Sequence, residues 1–123
     1  MKKTVAFLTF FLLLLALTAC GNKSGSAGGT QTDLAPEAEL VIEATNYQFD
    51  QAEYHLQKDV PVKITFKSAE GNHGMLVPGL KLQLDGKNDS AVILPKEAGE
   101  YELACSIMCG SGHGTMISKI IVE

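Results

Sequence analysis

Short segments in which apolar and polar residues alternate constrain the fold of this chain most strongly. Apolar residues take every second position in "ELVIEATNYQF" and again in "VPVKITFK", the period of a half-buried β-strand. Similar segments are "HGMLV", "LKLQL", "SAVIL", "EYELAC" and "MISKIIV", separated by turn-forming stretches such as "DGKN" and "EAGE". After the first 38 residues, no segment shows a convincing helical stripe of apolar residues. Seven short strands in about 85 residues predict one all-β sandwich over residues 39–123.

The first twenty residues, "MKKTVAFLTFFLLLLALTAC", have the layout of a secretory signal. Two lysines precede an apolar run from Val5 to Leu17, which is short for a transmembrane span. The ending "LTAC" resembles the lipobox of bacterial lipoproteins, which implies that residues 1–19 are a signal peptide and that Cys20 carries a lipid. The alternative is an uncleaved anchor helix. Either interpretation predicts a domain on the extracytoplasmic face of the cell membrane.

Residues 20–38 are rich in Gly, Ser and Thr and lack apolar periodicity. This composition predicts a flexible, lipid-anchored linker between the membrane and the domain.

The charge of the predicted mature chain excludes one class of partner. It has eight lysines, no arginine and fourteen acidic residues, a formal charge of −6. Nucleic-acid binding requires clustered Lys and Arg, so we expect no nucleic-acid partner. An acidic surface suits a partner with a basic face.

Metal-ligand chemistry is concentrated in "CSIMCGSGHGTM", from Cys105 to Met116. With Cys20 assigned to the lipid, Cys105 and Cys109 are the only thiol pair left. Outside the cytoplasm such a pair is either oxidised to a disulfide or held reduced by a metal. Together with His113 and a second histidine, the thiols form a soft S₂N₂ set that favours copper or zinc.

Two histidines can complete that set. His55 lies in "AEYHLQ" and has the surroundings of a solvated strand residue, whereas His73 lies between glycines in "EGNHGM", where a loop can project the ring. We therefore favour His73 as the remote ligand. Met116 favours copper, because a thioether is a recurrent weak axial ligand for copper and a poor one for Zn²⁺. The alternative is a core methionine.

The pattern CxxxCGxxHxxM, with a histidine about thirty residues upstream, resembles the binuclear CuA site of cytochrome c oxidase subunit II and nitrous oxide reductase. "VPGLKLQLDG" and "EAGEYELAC" are also similar to stretches of that family. The resemblance covers residues 39–123 and implies a cupredoxin-like Greek-key β-sandwich that holds two copper ions. The ligands it implies are His73, Cys105, the carbonyl of Ile107, Cys109, His113 and Met116.

The family likeness also suggests roles for residues around the ligands. Glu70 resembles an acidic position that supports the first histidine, although a solvated turn glutamate is an equal alternative. The chain has no tryptophan, whereas the family usually places one on the route by which electrons enter. Tyr47 and Phe49 occupy a similar strand. They are either substitutes for that tryptophan or aromatic residues of the core.

These observations predict an electron-transfer protein whose partner is a c-type cytochrome or another basic redox protein. The resemblance also suggests an oxidase catalytic subunit as a partner, although the family's transmembrane helices are replaced by a lipoprotein signal. The main alternative is a copper storage or delivery protein with the same ligands. A thiol-disulfide reductant and a structural zinc protein are weaker alternatives. No hydrolytic nucleophile and base set is visible, so we expect no catalysis by the chain alone.

Overall fold

The computed structural model describes residues 27–123. This part of the chain consists of ten β-strands and two single-turn 3₁₀ helices, Pro78–Leu80 and His113–Thr115. The strands are β1 (Gly29–Gln31), β2 (Ala38–Thr45), β3 (Gln48–Phe49), β4 (Glu53–Leu56), β5 (Val62–Ser68), β6 (Met75–Val77), β7 (Leu82–Leu84), β8 (Ser90–Pro95), β9 (Gly99–Cys105) and β10 (Ile117–Val122).

The strands form two five-stranded sheets. One has the order β1-β8-β5-β2-β3 and the other β4-β10-β9-β6-β7. The pairs β2–β5 and β4–β10 are parallel and the other pairs are antiparallel. The predicted all-β sandwich is confirmed.

The alternation in the sequence matches the burial of the strands. In β5, Val62, Ile64 and Phe66 are buried, while the lysines between and after them are exposed. The buried residues of both sheets form one core cluster. Because side chains alternate across a strand, one face of each sheet supplies this core and the other faces solvent.

Loops at one end of the sandwich carry the metal-ligand chemistry. Parallel β2 and β5 both end there, at Thr45 and Ser68. In the other sheet Met75, the first residue of β6, pairs with Cys105, the last residue of β9. The Ser68 hydroxyl accepts a hydrogen bond from the His73 backbone N–H at 3.2 Å, which holds the loop of His73 against the end of β5.

The predicted flexible linker needs a correction. Within 20–38, strand β1 pairs with β8 through Gly29 opposite Pro95. The N–H of Gly28 donates to the carbonyl of Gly79 at 2.9 Å. The composition of this segment is that of a linker, but its backbone groups complete the free edge of β8. The sheet therefore begins at Gly29 rather than at residue 39.

The predicted signal peptide, the lipidation residue Cys20 and the first part of the linker lie outside the described residues. Within residues 27–123, no helix has the length and apolar character needed to cross a membrane.

Candidate metal centre

Two free thiols form the middle of the candidate site. Cys105 ends β9 and is buried, and Cys109 lies in the following loop and is half-buried. Their Sγ atoms are 3.5 Å apart, so no disulfide joins them. Two sulfurs at this separation can both contact the same metal ion or ions.

Each thiol faces one imidazole. His73 Nδ1 lies 3.9 Å from Cys105 Sγ, and His113 Nδ1 lies 3.7 Å from Cys109 Sγ. The donor atoms of His73, Cys105 and Cys109 all lie within 4.8 Å of one another. His113 is not a member of this group, and its contact with Cys109 is what places it at the site.

The loop before β6 fixes His73, which is fully buried. Its backbone N–H donates to the Ser68 hydroxyl, and that hydroxyl donates to the Gly71 carbonyl at 2.8 Å. Its Nε2 atom lies 3.0 Å from Asn46 Oδ1. The ring is thus held at one nitrogen, and the other nitrogen faces the thiols.

A second loop carries Cys109 and His113. The His113 N–H donates to the Gly110 carbonyl at 3.2 Å, which bends the chain so that both side chains reach the same place. Gly110 has a φ of 134°, a region that side-chain-bearing residues rarely adopt. The ring of Tyr47 packs against the Cα atoms of Gly110 and Gly112 and edge-on against the His73 ring, with centroids 6.3 Å apart.

The two predicted weak ligands, Ile107 and Met116, both contact Cys105 through their backbone carbonyls. The Ile107 carbonyl accepts a hydrogen bond from the Cys105 thiol at 3.1 Å. Met116 is fully buried, and its carbonyl accepts the Cys105 N–H at 3.2 Å across the β9–β10 pairing. Met116 also belongs to the core cluster, so its burial alone leaves the ligand and core interpretations open.

The remaining histidine is engaged elsewhere. His55 lies on β4, is exposed, and contacts Glu123 at 2.8 Å and Glu53 at 3.5 Å. Neither partner belongs to the candidate site. This is the environment expected of a solvated strand histidine.

Glu70 takes a different role from the one that the resemblance suggests. Its carboxylate accepts the backbone N–H of Asn46 at 3.3 Å, and Asn46, not Glu70, contacts the His73 ring. The Glu70 carboxylate therefore reaches His73 only indirectly, through Asn46. Phe49 is a core residue, whereas Tyr47 is partly exposed beside the site loops.

Sequence reasoning did not identify Asn46, Ser68 or Gly71 as neighbours of the site. Asn46 lies 27 positions before His73, in the turn between β2 and β3. The pairing of β2 with β5 brings it there, and no local spacing carries that information. Gly71 alone gave a weak signal in the sequence, since a glycine in a turn often marks an unusual backbone conformation. In the structure its φ is 78°.

The surroundings of the Cys109 thiol favour its protonated form. Partial burial, and to a smaller degree the neighbouring Cys105 sulfur, raises the pKa of the Cys109 thiol. Metal binding must therefore displace protons from the site.

The chemistry of the donor set fits copper. Two thiols, two imidazole nitrogens and a thioether residue are soft or borderline ligands of the kind that copper prefers. The donor atoms of His73, Cys105 and Cys109 lie close together at one end of the sandwich. No carboxylate belongs to the ligand group that the described residues form.

No family model matches the chain. Among curated proteins, 77 residues of the chain, 60% of its length, are 30% identical to the alternative cytochrome c oxidase subunit 2 of Bradyrhizobium diazoefficiens. They cover 28% of that protein. The chain thus spans less than a third of the length of the curated relatives it matches.

Solved structures share the fold. The periplasmic domain of subunit II of cytochrome oxidase (CoxB) of Bradyrhizobium japonicum superposes with a TM-score of 0.65, over 75% of this chain and 88% of that chain, at 12% identity. The metal-binding domain of the Cu(I)-exporting P-type ATPase CopA of Streptococcus pneumoniae superposes with a TM-score of 0.54, over 76% and 95%, at 23% identity.

The sandwich therefore has the predicted cupredoxin-like fold. The predicted resemblance is confirmed as well: in sequence and in fold, the chain resembles the CuA domain of cytochrome c oxidase subunit II.

Proposed function

We propose that this chain binds two copper ions in a CuA-like centre and transfers electrons. The observation that carries the proposal is the pairing of each thiol with its own imidazole, Cys105 with His73 and Cys109 with His113, around two sulfurs 3.5 Å apart. A site for one ion needs one such set of soft donors. This site has the donors for two.

The number of donors also argues against a structural zinc ion. Zinc in structural sites is four-coordinate, and Cys₂His₂ alone would satisfy it. The Ile107 carbonyl and the Met116 thioether would then have no role as ligands. We assign both to copper, together with His73, Cys105, Cys109 and His113.

Bound copper would supply a one-electron redox couple, and the protein's contribution is to hold the donors in place. Cys105 lies at the end of a paired strand, His73 is fixed at its backbone and at one ring nitrogen, and Met116 is buried in the core. Donors fixed in this way move little when the charge on the site changes. Small movement favours fast electron transfer.

The relatives and the charge support a proposal for the partners and the location of the domain. We place the domain outside the cytoplasm, as in the periplasmic subunit II domain that it resembles, and attached to the cell membrane through a lipid on Cys20. The predicted mature charge of −6 suits a c-type cytochrome or another basic redox protein as electron donor. An oxidase catalytic subunit is the proposed acceptor, and any catalysis belongs to that complex.

One experiment separates this function from copper delivery. The copper-loaded protein is mixed with a reduced basic cytochrome, and the rate of its reduction is followed at increasing salt. We expect fast reduction at low ionic strength that slows as the screening length falls to about 10 Å at 0.1 M salt. The copper content should be the same before and after.

Copper storage or delivery is the second candidate. The fold is shared with the metal-binding domain of a Cu(I)-exporting ATPase. Cys109 and His113 are only half-buried, which leaves copper a route out. Slow reduction at every salt concentration, together with rapid loss of copper to an apo-acceptor, would replace electron transfer with delivery.

A further inference from the structure

The turn between β2 and β3 contacts both loops that carry the candidate ligands. Asn46 contacts the ring of His73, and the next residue, Tyr47, packs on Gly110 and Gly112 in the loop of Cys109 and His113. No spacing in the sequence connects this turn to the site. The contact with His73 has a specific chemical consequence.

A neutral imidazole carries its proton on one nitrogen and a lone pair on the other. A metal needs the lone pair, and the hydrogen bond at the second nitrogen decides which nitrogen offers it. In this structure an oxygen, Asn46 Oδ1, faces His73 Nε2 at 3.0 Å. An amide oxygen accepts only, so this arrangement pairs it with a proton on Nε2 and leaves the lone pair on Nδ1, the atom that faces Cys105 Sγ.

The backbone that carries the Asn46 side chain is held in place. The Asn46 backbone N–H donates to Glu70 Oε1, and the neighbouring Ala69 N–H donates to the Ala44 carbonyl at 2.9 Å. Both bonds tie the loop that carries His73 to the end of β2. Gly71 lies directly against Asn46 Oδ1, and a side chain at this position would displace the amide.

We propose that Asn46 is a positioning residue of this site, which acts through His73 by fixing the tautomer that presents Nδ1 to the metal. The inference deepens the proposed copper function and rests on it for its consequence, although the tautomer itself is a property of the metal-free chain. Glu70 supports the same role by holding the backbone of Asn46.

Two variants separate the hydrogen bond from the rest of the side chain. Asn46→Ala removes the acceptor, whereas Asn46→Asp keeps an oxygen at the same place. Gln48→Ala is the matched control, because Gln48 is exposed two residues along and its side chain makes no hydrogen bond among residues 27–123. Each variant is made in the full chain, kept in detergent.

The first measurement is ¹⁵N NMR of the imidazoles in metal-free protein at about pH 8.5, where a free imidazole is neutral. A His73→Gln variant assigns the His73 signals among the three histidines. We expect the Nε2–H tautomer in the unmodified chain, in Asn46→Asp and in Gln48→Ala, and a mixture of tautomers in Asn46→Ala. An Nδ1–H tautomer in the unmodified chain overturns the proposal without any variant.

The second measurement is copper affinity, by competition with a colorimetric Cu(I) chelator. Loss of a hydrogen bond to a ligating histidine costs about 10- to 100-fold in metal affinity, so we expect that loss in Asn46→Ala, with recovery in Asn46→Asp. Asn46→Ala with unchanged tautomer and unchanged affinity contradicts the proposal, as does an equal loss in Asn46→Asp. Failure of the unmodified chain to bind copper instead refutes the proposed function, and the NMR result still decides the role of Asn46.

Discussion

Met116 offers a sharp test of whether a buried sulfur is a ligand or only part of the core. Met116 and Met75 are both fully buried, belong to the same core cluster and adjoin Cys105 on opposite sides of β9. Met75 is not among the proposed ligands. Met75→Leu is therefore a matched control for Met116→Leu.

The cost of each substitution to folding follows from packing. Leucine nearly conserves the volume of methionine, so each change should lower the free energy of unfolding of the metal-free protein by less than about 1.5 kcal/mol. Truncation to alanine would leave a cavity at either position and cost about 2–5 kcal/mol. Guanidinium titration of the metal-free variants measures these differences.

Copper loading should separate the two leucine variants. We expect Met116→Leu to shift the reduction potential and the visible spectrum, because it removes a thioether from the metal, while Met75→Leu leaves both unchanged. Equal spectra and potentials in the two variants would refute the role of Met116 as a ligand. A Met116→Leu loss well above 1.5 kcal/mol in metal-free protein would favour the core interpretation.

Three further predictions concern other parts of the chain. Gly112→Ala should destabilise the protein by about 1–3 kcal/mol, because the new methyl group overlaps the Tyr47 ring, whereas Gly114→Ala, with open space around it, should be neutral in the same denaturation assay. The hydrogen bond to Glu123 raises the pKa of His55 above its ordinary 6.5, so its stabilising effect should be complete below pH 6.5 and lost as the pH rises through the raised value. His55→Gln should abolish that part of the pH dependence of the denaturation midpoint, and an unchanged profile would exclude this contact. Cys20→Ala should release the protein from the membrane fraction and change the mass of the processed chain, and an unchanged fraction and mass would favour an anchor helix.

The strands could be predicted because their signal is local. Alternation of buried and exposed residues is visible in β2, β5 and β10 without knowledge of their partners. Strand β1 could not be predicted, since "GTQ" has no alternation and its pairing depends on the edge of β8. The composition of this segment indicated a linker, but the backbone hydrogen bonds to β8 make residues 29–31 a strand.

The candidate site divides in the same way. Cys105, Cys109, His113 and Met116 are close in sequence and carry unusual ligand chemistry, so spacing alone singles them out. Asn46 and Ser68 contact His73 only because parallel β2 and β5 end together. The side chain that contacts the His73 ring is therefore the amide of Asn46. Glu70 contacts the backbone of Asn46 instead.

We propose a pair of copper ions whose ligands would include both Cys105 and Cys109. The most direct test of this pair is metal analysis combined with electron spin resonance of the oxidised, copper-loaded protein, with Cys109→Ser as the comparison. We predict two copper ions per chain, intense colour and hyperfine splitting from both nuclei, reduced in Cys109→Ser to a single copper or an empty site. One copper per chain in the unmodified protein, or a preference for zinc when copper is available, would contradict the account.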